Sequence, residues 1–376
     1  MRLLLPSLFL WLYVSFSLLR LLPVSWFSRG LLSLGLLAAA MKYPLYEYLG
    51  GSFFAPVLPR TVLLVMEALY AALIILFFLL LCHDLLTLLC ALVRRFCLPA
   101  CRLPLTETSR AVVLLLAALV CGGWSVRQSV TVPDVRTVEI TLPRLPRALD
   151  GFTIVQLSDI HIRILLNRDW LESVVERANA LSPDLITLTG DYIDGSVRQL
   201  GHSLEPLRDL KARFGTWGVT GNHELYYGWQ EWTEFLEKQG VRMLENEYAA
   251  LKVNGETLVL AGVPDLAFGR SGETWDAGAA FRGAPDAVRI LLCHRPAGAW
   301  GHGADLQLSG HTHGGSFFFL KPLLAYFNGG FVRGLYAKDG MRLYVSPGTG
   351  IWGGFSCRLG VPSEITRIVL RAQEKN

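Results

Sequence analysis

The chain has 376 residues, of which 52% are hydrophobic. Ordinary soluble domains hold ~45–50% apolar residues with glycine counted in, so the excess excludes a purely soluble protein. The formal net charge is only +4, with 35 basic and 31 acidic residues and no dense Lys/Arg run, which excludes nucleic acid as the main partner. Seven cysteines without a CxxC pair offer neither a disulfide framework nor a zinc knuckle.

The apolar excess lies in residues 1–126, which predict a helical transmembrane region of about four spans. The strongest is TVLLVMEALYAALIILFFLLLC, 61–82. LLLPSLFLWLYVSFSLL (3–19) is read as a span rather than a signal peptide, because further apolar segments follow it. LLSLGLLAAAMKYPLYEYL (31–49) is interrupted by Lys42, Pro44 and Glu47, and AVVLLLAALVCGGW (111–124) is short. Glu67, the one acid inside the strongest span, reads either as part of an ion path or as an acid paired within the bundle. Arg94, Arg95, Arg102 and Arg110 place the stretch 83–110 in the cytoplasm by the positive-inside bias. If 111–124 then crosses, the remainder of the chain lies on the extracytoplasmic side of the cell membrane.

Residues 127–149 read as a linker, and 150–372 as one soluble domain. FTIVQLSD, DLITLTGD and TWGVTGNHE predict strands alternating with helices RDWLESVVERANAL, LEPLRDLKARF and WQEWTEFLEKQG. LVLAGV, VRILLCH, ADLQLSGH, RLYVSPG and EITRIVL continue as strands with little helix between them, which predicts an α/β sandwich. Cys293 and Cys357, the two cysteines of this half, are read as buried thiols in preference to a bridge.

Five of the eight histidines sit at the ends of these strands with polar company: SDIHI (Asp159, His161), TGDYID (Asp191, Asp194), TGNHE (Asn222, His223), LLCHRP (His294) and SGHTH (His311, His313). Loops beyond the carboxyl ends of strands form the ligand crevice of α/β sheets. Carboxylate, amide oxygen and imidazole together suit divalent transition metals. If the backbone is extended, the D-x-H and H-x-H spacings put both side chains of each pair on one side. Asp159, His161, Asp191, Asn222, His294, His311 and His313 are too many for one ion, and a bridging Asp191 makes two sets of four. Two metals ~3.5–4 Å apart serve in-line displacement at phosphorus. His83, His202 and His302 are read as surface or core residues, and Arg163 and Arg295 either as phosphate contacts or as surface charges.

D-x-H, GD-x-x-D, GNH[DE], a lone His and GH-x-H, in that order over residues 150–370, resemble the calcineurin-like metallophosphoesterases. The run GLYAKDGMRLYVSPGTG resembles their membrane-associated YkuE-type branch. The resemblance implies a four-layer α/β/β/α metallophosphoesterase sandwich behind the transmembrane helices. It implies two divalent ions (Mn, Fe or Zn), one on Asp159, His161, Asp191 and His313, the other on Asp191, Asn222, His294 and His311. It makes His223 a catalytic acid or substrate ligand; Asp194 is then expected to hydrogen-bond it, or to cap a turn. The implied activity is metal-dependent hydrolysis of a phosphomonoester or phosphodiester. The bilayer and a phosphorylated substrate, with a phospholipid or envelope precursor among the candidates, are the expected partners. A cytoplasmic-face pyrophosphohydrolase of a nucleotide-linked lipid precursor, or a membrane sensor that binds phosphate, are the alternatives. SFFFLKPLLAYFNGGFVRGLY, directly after the GH-x-H pair, reads in part as core and in part as a segment for the membrane interface.

Overall fold

The computed structural model describes residues 3–49, 51, 55–96, 102–265, 267 and 275–374. They fall into two units, Met1–Gln128 with Gly354–Leu359, and Ser129–Gly353 with Gly360–Asn376.

The first unit is helical: α1 (Leu4–Leu19), α2 (Trp26–Ala40), α3 (Lys42–Leu49), α4 (Arg60–Phe96) and α5 (Glu107–Val130). By length and composition α4 and α5 are able to cross a membrane, whereas α1 and α2 have 16 and 15 residues. The expected span 31–49 is two helices, broken at Met41. Pro44 explains the break. In a continuous helix its ring would clash with the carbonyl of Ala40, whereas in the first turn of a new helix it costs nothing. Helix α4 absorbs much of the expected loop 83–110, including Arg94 and Arg95. Gly122 of α5 meets α4 closely, since a Cβ there would lie 2.7 Å from the Ala72 nitrogen. Glu67 is a paired acid: its carboxylate lies 2.8 Å from Lys42 Nζ and accepts from Tyr46 Oη at 2.9 Å.

The second unit holds two six-stranded sheets. One has β1 (Asp134–Leu142), β12 (Glu364–Ala372), β2 (Thr153–Leu157), β3 (Leu185–Thr189), β4 (Thr216–Val219) and β5 (Val241–Met243), in that order. The other runs β10 (Gly334–Lys338), β11 (Met341–Val345), β9 (Leu306–Ser309), β8 (Val288–Leu292), β7 (Glu256–Gly262) and β6 (Glu247–Val253). Strands β2 to β5 are mutually parallel, as are β7, β8, β9 and β11. Their carboxyl ends therefore line up along one edge of each sheet.

Strand alternation separates the core into layers. Ile154, Leu185, Leu260, Ile290, Leu308 and Tyr344 meet between the sheets. Val155, Leu157, Ile186 and Leu188 face Leu171, Val174 and Ala178 of α6 (Arg168–Ala180) and Trp232 and Leu236 of α9 (Trp229–Lys238). On the far side, Val259, Ala261 and Leu291 pack with Ala277, Ala280 and Phe281 around α10 (Ala277–Ala280). Helix, sheet, sheet and a short helical layer follow in sequence, the expected four-layer sandwich.

Two expectations are corrected. The linker 127–149 is not a linker throughout, because β1 pairs in parallel with β12 over nine residues and closes the edge of the first sheet. The helix expected over 204–214 lies earlier, as α7 (Val197–Leu204), where Ser196 and Gln199 form a capping box. A 3-10 turn, Glu205–Asp209, follows it and contains Pro206. Cys293 and Cys357 are buried free thiols.

Candidate metal centre and catalytic site

The loops after β2, β3, β4, β8 and β9 deliver the site; the one after β4 runs into the short helix α8 (Asn222–Tyr226), and those after β2, β3 and β9 are kinked. Asp159, His161, Asp191, His311 and His313 all have positive φ, between 48° and 70°. The extended D-x-H and H-x-H geometry expected from spacing is therefore corrected. Left-handed residues outside glycine cost about 1–2 kcal/mol each, and here the surrounding hydrogen bonds hold them. Asp159 N–H donates to Gly190 O at 3.0 Å, His161 N–H to Asp191 O at 3.1 Å and Ile162 N–H to Tyr192 O at 2.9 Å, so the first two loops are zipped together. His311 N–H donates to Asp159 Oδ1 at 3.0 Å, and His223 N–H to Asp191 Oδ1 at 2.9 Å. Two glycines make room for these carboxylates. A Cβ on Gly221 would lie 2.2 Å from Asp191 Oδ1, and one on Gly310 would lie 2.2 Å from Asp159 Oδ2.

Donor atoms then gather in two nests that share Asp191. In the first, His161 Nε2 lies 3.2 Å from His313 Nε2 and 3.6 Å from Asp191 Oδ2, and His313 Nε2 lies 3.4 Å from Asp159 Oδ1. In the second, His294 Nε2 lies 3.1 Å from Asp191 Oδ2 and 3.2 Å from His311 Nδ1. Ligands bound ~2.0–2.2 Å from one cation stand roughly 3–3.5 Å apart, so these separations fit a shared ion in each nest. Asn222 Oδ1 is buried without a hydrogen-bond partner among the described residues, the condition expected of a ligand oxygen. Six of the seven candidate ligands, Asp159, His161, Asp191, His294, His311 and His313, thus fall into the two nests.

The electrostatics agree. His294 donates from Nδ1 to Thr189 O at 2.7 Å, which turns Nε2 toward the nest. Burial opposes charge on His294, yet Asp191 outweighs it and pushes the imidazole up to about 10. Burial and the neighbouring His294 push His311 well below the usual imidazole range. Asp191, despite burial, is held well below the carboxylate range by His294 and His223. The carboxylates thus demand positive charge at the point where the imidazole lone pairs converge, and a divalent cation answers both.

Asp194 does more than the expected single contact. Its Oδ1 lies 2.9 Å from Nδ1 of His161 and 2.7 Å from Nδ1 of His223, and its Oδ2 accepts from Gly353 N–H at 2.9 Å. It is therefore no mere turn cap. His223 Nε2 faces the nests, 4.0 Å from Asp191 Oδ2. Burial lowers its basicity, but Asp191 and Asp194 together raise it to about 9. Glu224 has no role that sequence reasoning assigns, although the GNHE motif contains it. Fully buried, it accepts from the amides of Gly221 (2.7 Å), Tyr192 (2.8 Å) and Asp191 (3.0 Å), and so ties the second and third loops together. Burial and the nearby Asp191 raise its carboxyl to about 7.

Arg163 is buried and donates to the carbonyls of His161 and Ile351, so it braces the loops. Arg295 pairs with Asp265 through two Nε contacts of 3.0 and 2.9 Å. His83 contacts Asp84, His202 contacts Ser203 and His302 contacts Gln307; none joins the nests.

Comparison with known proteins gives the same family. Residues 152–315 match the model of the calcineurin-like phosphoesterases. The "Transmembrane protein with metallophosphoesterase domain" of Danio rerio is 34% identical over 281 residues, 70% of this chain and 63% of that protein. The chain thus spans less than two thirds of that relative's length. The "Uncharacterized metallophosphoesterase" of Aquifex aeolicus is 31% identical over 62% of this chain and 90% of its own length. For the "Uncharacterized metallophosphoesterase YkuE" of Bacillus subtilis the identity is 30%, over 61% of this chain and 84% of that one. A shared pattern this extensive, together with the paired nests on Asp191, makes the chain a member of the calcineurin-like metallophosphoesterase family.

Proposed function

We propose that the chain is a membrane-anchored phosphoesterase that uses two divalent ions to hydrolyse a phosphomonoester or phosphodiester, with a lipid or lipid-linked phosphate as the substrate class. The observation that carries it is the gathering of six Asp and His donors in two nests that share Asp191, with His223 beside them and the Asn222 Oδ1 buried and unpartnered among the described residues. Asp159, His161, Asp191 and His313 would hold one ion; Asp191, Asn222, His294 and His311 the other. Such ions, when bound, supply Lewis acidity at the phosphoryl oxygens and activation of water. The chain's own residues do the rest. Asp191 and Asp159 are aimed by backbone amides; His223 donates from Nδ1 to Asp194, and because Asp191 and Asp194 favour the imidazolium it also holds a proton on Nε2 for the departing oxygen.

The lipid part of the reading is supported by the segment after the second nest. Phe317 is buried, but Phe318, Leu323, Tyr326 and Phe327 are 53–82% exposed, and α11 (Lys321–Phe327) buries none of its residues. Residues 311–338 contain Lys321, Arg333 and Lys338 and no acid. Exposed aromatic residues with basic neighbours suit a headgroup region. We place the catalytic unit on the extracytoplasmic side, from the arginine bias of 83–110.

The test is hydrolysis by the full chain in detergent with added Mn²⁺, against nitrophenyl phosphomonoesters and phosphodiesters and against phospholipid vesicles. Hydrolysis abolished by a chelator is expected. A folded, metal-loaded protein that cleaves none of them overturns the proposal. Phe318→Ser with Leu324→Ser is expected to lower vesicle hydrolysis and spare the soluble diester; equal losses remove the lipid reading.

A further inference from the structure

Gly314 and Gly315 directly follow His313, a candidate ligand of the first nest, and two cations rest on them. A Cβ on Gly314 would lie 3.3 Å from Arg333 Cδ, and one on Gly315 would lie 3.5 Å from Lys321 Cγ. The Gly314 position is also closed in by Val361 Cγ1 and Pro347 Cβ, at 2.5 and 3.0 Å from the same point. The two glycines have positive φ, 61° and 90°, and their missing side chains leave room for the stems. Arg333 and Lys321 are both half-buried. Among the described residues neither head group has a hydrogen bond, an ion pair or an aromatic face. Residues 311–338 contain no acid, so the local sequence offers no counter-ion.

The stems rest on positions whose Cα atoms are only ~3.8 Å apart, well inside the ~8–10 Å over which salt screens charge. Like charges held this close and partly out of water repel, and an anion that both reach removes the cost. The acids of the nests do not call for these cations. Asp159, Asp191 and Asp194 are three carboxylates, and two divalent ions would already outweigh them. We propose that Lys321 and Arg333 form a subsite for a second phosphate-class anion of the substrate, beyond the phosphate that is cleaved. The proposal rests on the phosphoesterase reading above and narrows its substrate class to esters that carry two anionic groups. A guanidinium fork beside a mobile ammonium suits such a group. An anionic headgroup of the bilayer would bring the same chemistry from another source, and the test separates the two.

The test uses the full chain in detergent with Mn²⁺ and two soluble esters, 1,3-propanediol bisphosphate and 1,3-propanediol monophosphate, which differ only in the second phosphate. KM for the bisphosphate should be lower by about tenfold, the low end of what a hydrogen bond to a charged group contributes. The values of kcat should be similar, because the subsite holds ground state and transition state alike. Arg333→Gln and Lys321→Gln keep part of each stem and remove the charge. Each should bring the two KM values together, and Arg333→Lys should keep most of the difference. Equal KM values in the parent chain, or a difference that survives in both folded Gln variants, overturn the proposal. The headgroup source is tested in nanodiscs of phosphatidylcholine and of phosphatidylglycerol. Turnover that depends on phosphatidylglycerol and loses that dependence in both Gln variants, with no bisphosphate preference in detergent, assigns the cations to the bilayer and overturns the proposal. A chain that turns over no ester, alkyl or nitrophenyl, fails the proposed function instead. Calorimetric titration of the chelator-treated protein with the bisphosphate then decides the subsite: a Kd weaker by about tenfold in Arg333→Gln is expected, and an equal Kd overturns it.

Discussion

Nδ1 of His223 lies 2.7 Å from Oδ1 of Asp194, and the same oxygen lies 2.9 Å from Nδ1 of His161. One carboxylate thus orients a candidate metal ligand and the candidate proton donor together. Both rings present Nε2 to the nests as a result, and the two roles are mechanically coupled. The consequence is that substitutions here separate by readout: metal content reports the His161 side, and leaving-group dependence reports the His223 side.

His223→Asn should retain both ions and lower kcat by roughly 10²–10⁴ on esters with poor leaving groups, the range for a general acid. The loss should shrink on nitrophenyl esters. Metal analysis beside steady-state kinetics checks this, and collapse of metal occupancy would make His223 a ligand instead.

Asp191→Asn should lose most activity and at least one ion, because a single carboxylate oxygen lies within 3.6 Å of imidazoles of both nests. Metal analysis of the purified variant is the measurement. Full activity with one ion or none would end the dinuclear reading.

The metal-free protein should lose stability as pH rises. His223 is raised from 6.5 to about 9 in the folded chain, with burial opposing and Asp191 and Asp194 prevailing. A raised pKa stabilises fully below the unfolded value and is lost as pH climbs through the folded one, so the window is about 6.5 to 9. The shift corresponds to about 3 kcal/mol at most. Chelator-treated protein should melt lower at pH 9.5 than at pH 6. His223→Asn should flatten that difference, and an identical pH slope in the variant would contradict the assignment.

Reporter fusions at positions 100 and 376 should give opposite signals, with 100 cytoplasmic. The motivation is the cluster of Arg94, Arg95, Arg102 and Arg110 ahead of the apolar stretch 111–124 of α5. Equal signals would mean that α5 does not cross. The cytoplasmic pyrophosphohydrolase reading would then replace the extracytoplasmic one.

The residues of the site are legible in the sequence, and the reason is topological. Asp159, Asp191, Asn222, His294 and His311 each follow an apolar run that becomes a strand in a largely parallel array. Parallel strands bring their carboxyl ends to one edge, so chemistry-bearing residues in those loops converge. Residue type then points to metal ligation and proton transfer. The apolar helices are legible for an equally local reason, since length and hydrophobicity alone decide whether a segment is able to span.

What the tertiary structure alone decides depends on contacts between distant positions. The left-handed kinks at Asp159 and His161 exist because the loop after β3 offers them Gly190 O and Asp191 O. Strand β1 is hidden inside an apparent linker because its partner, β12, begins more than two hundred residues later. Glu224 reads as the tail of a motif, and only the folded chain brings three amides to it. The exposure of Phe318 and Tyr326 is invisible to composition, which counts apolar residues without knowing what covers them. Lys42 and Gly354 are separated by 312 positions, and no local pattern in either segment names the other. Local sequence encodes propensity and chemistry; which groups meet, and so which carboxylate steers which imidazole, is set only when the chain closes on itself.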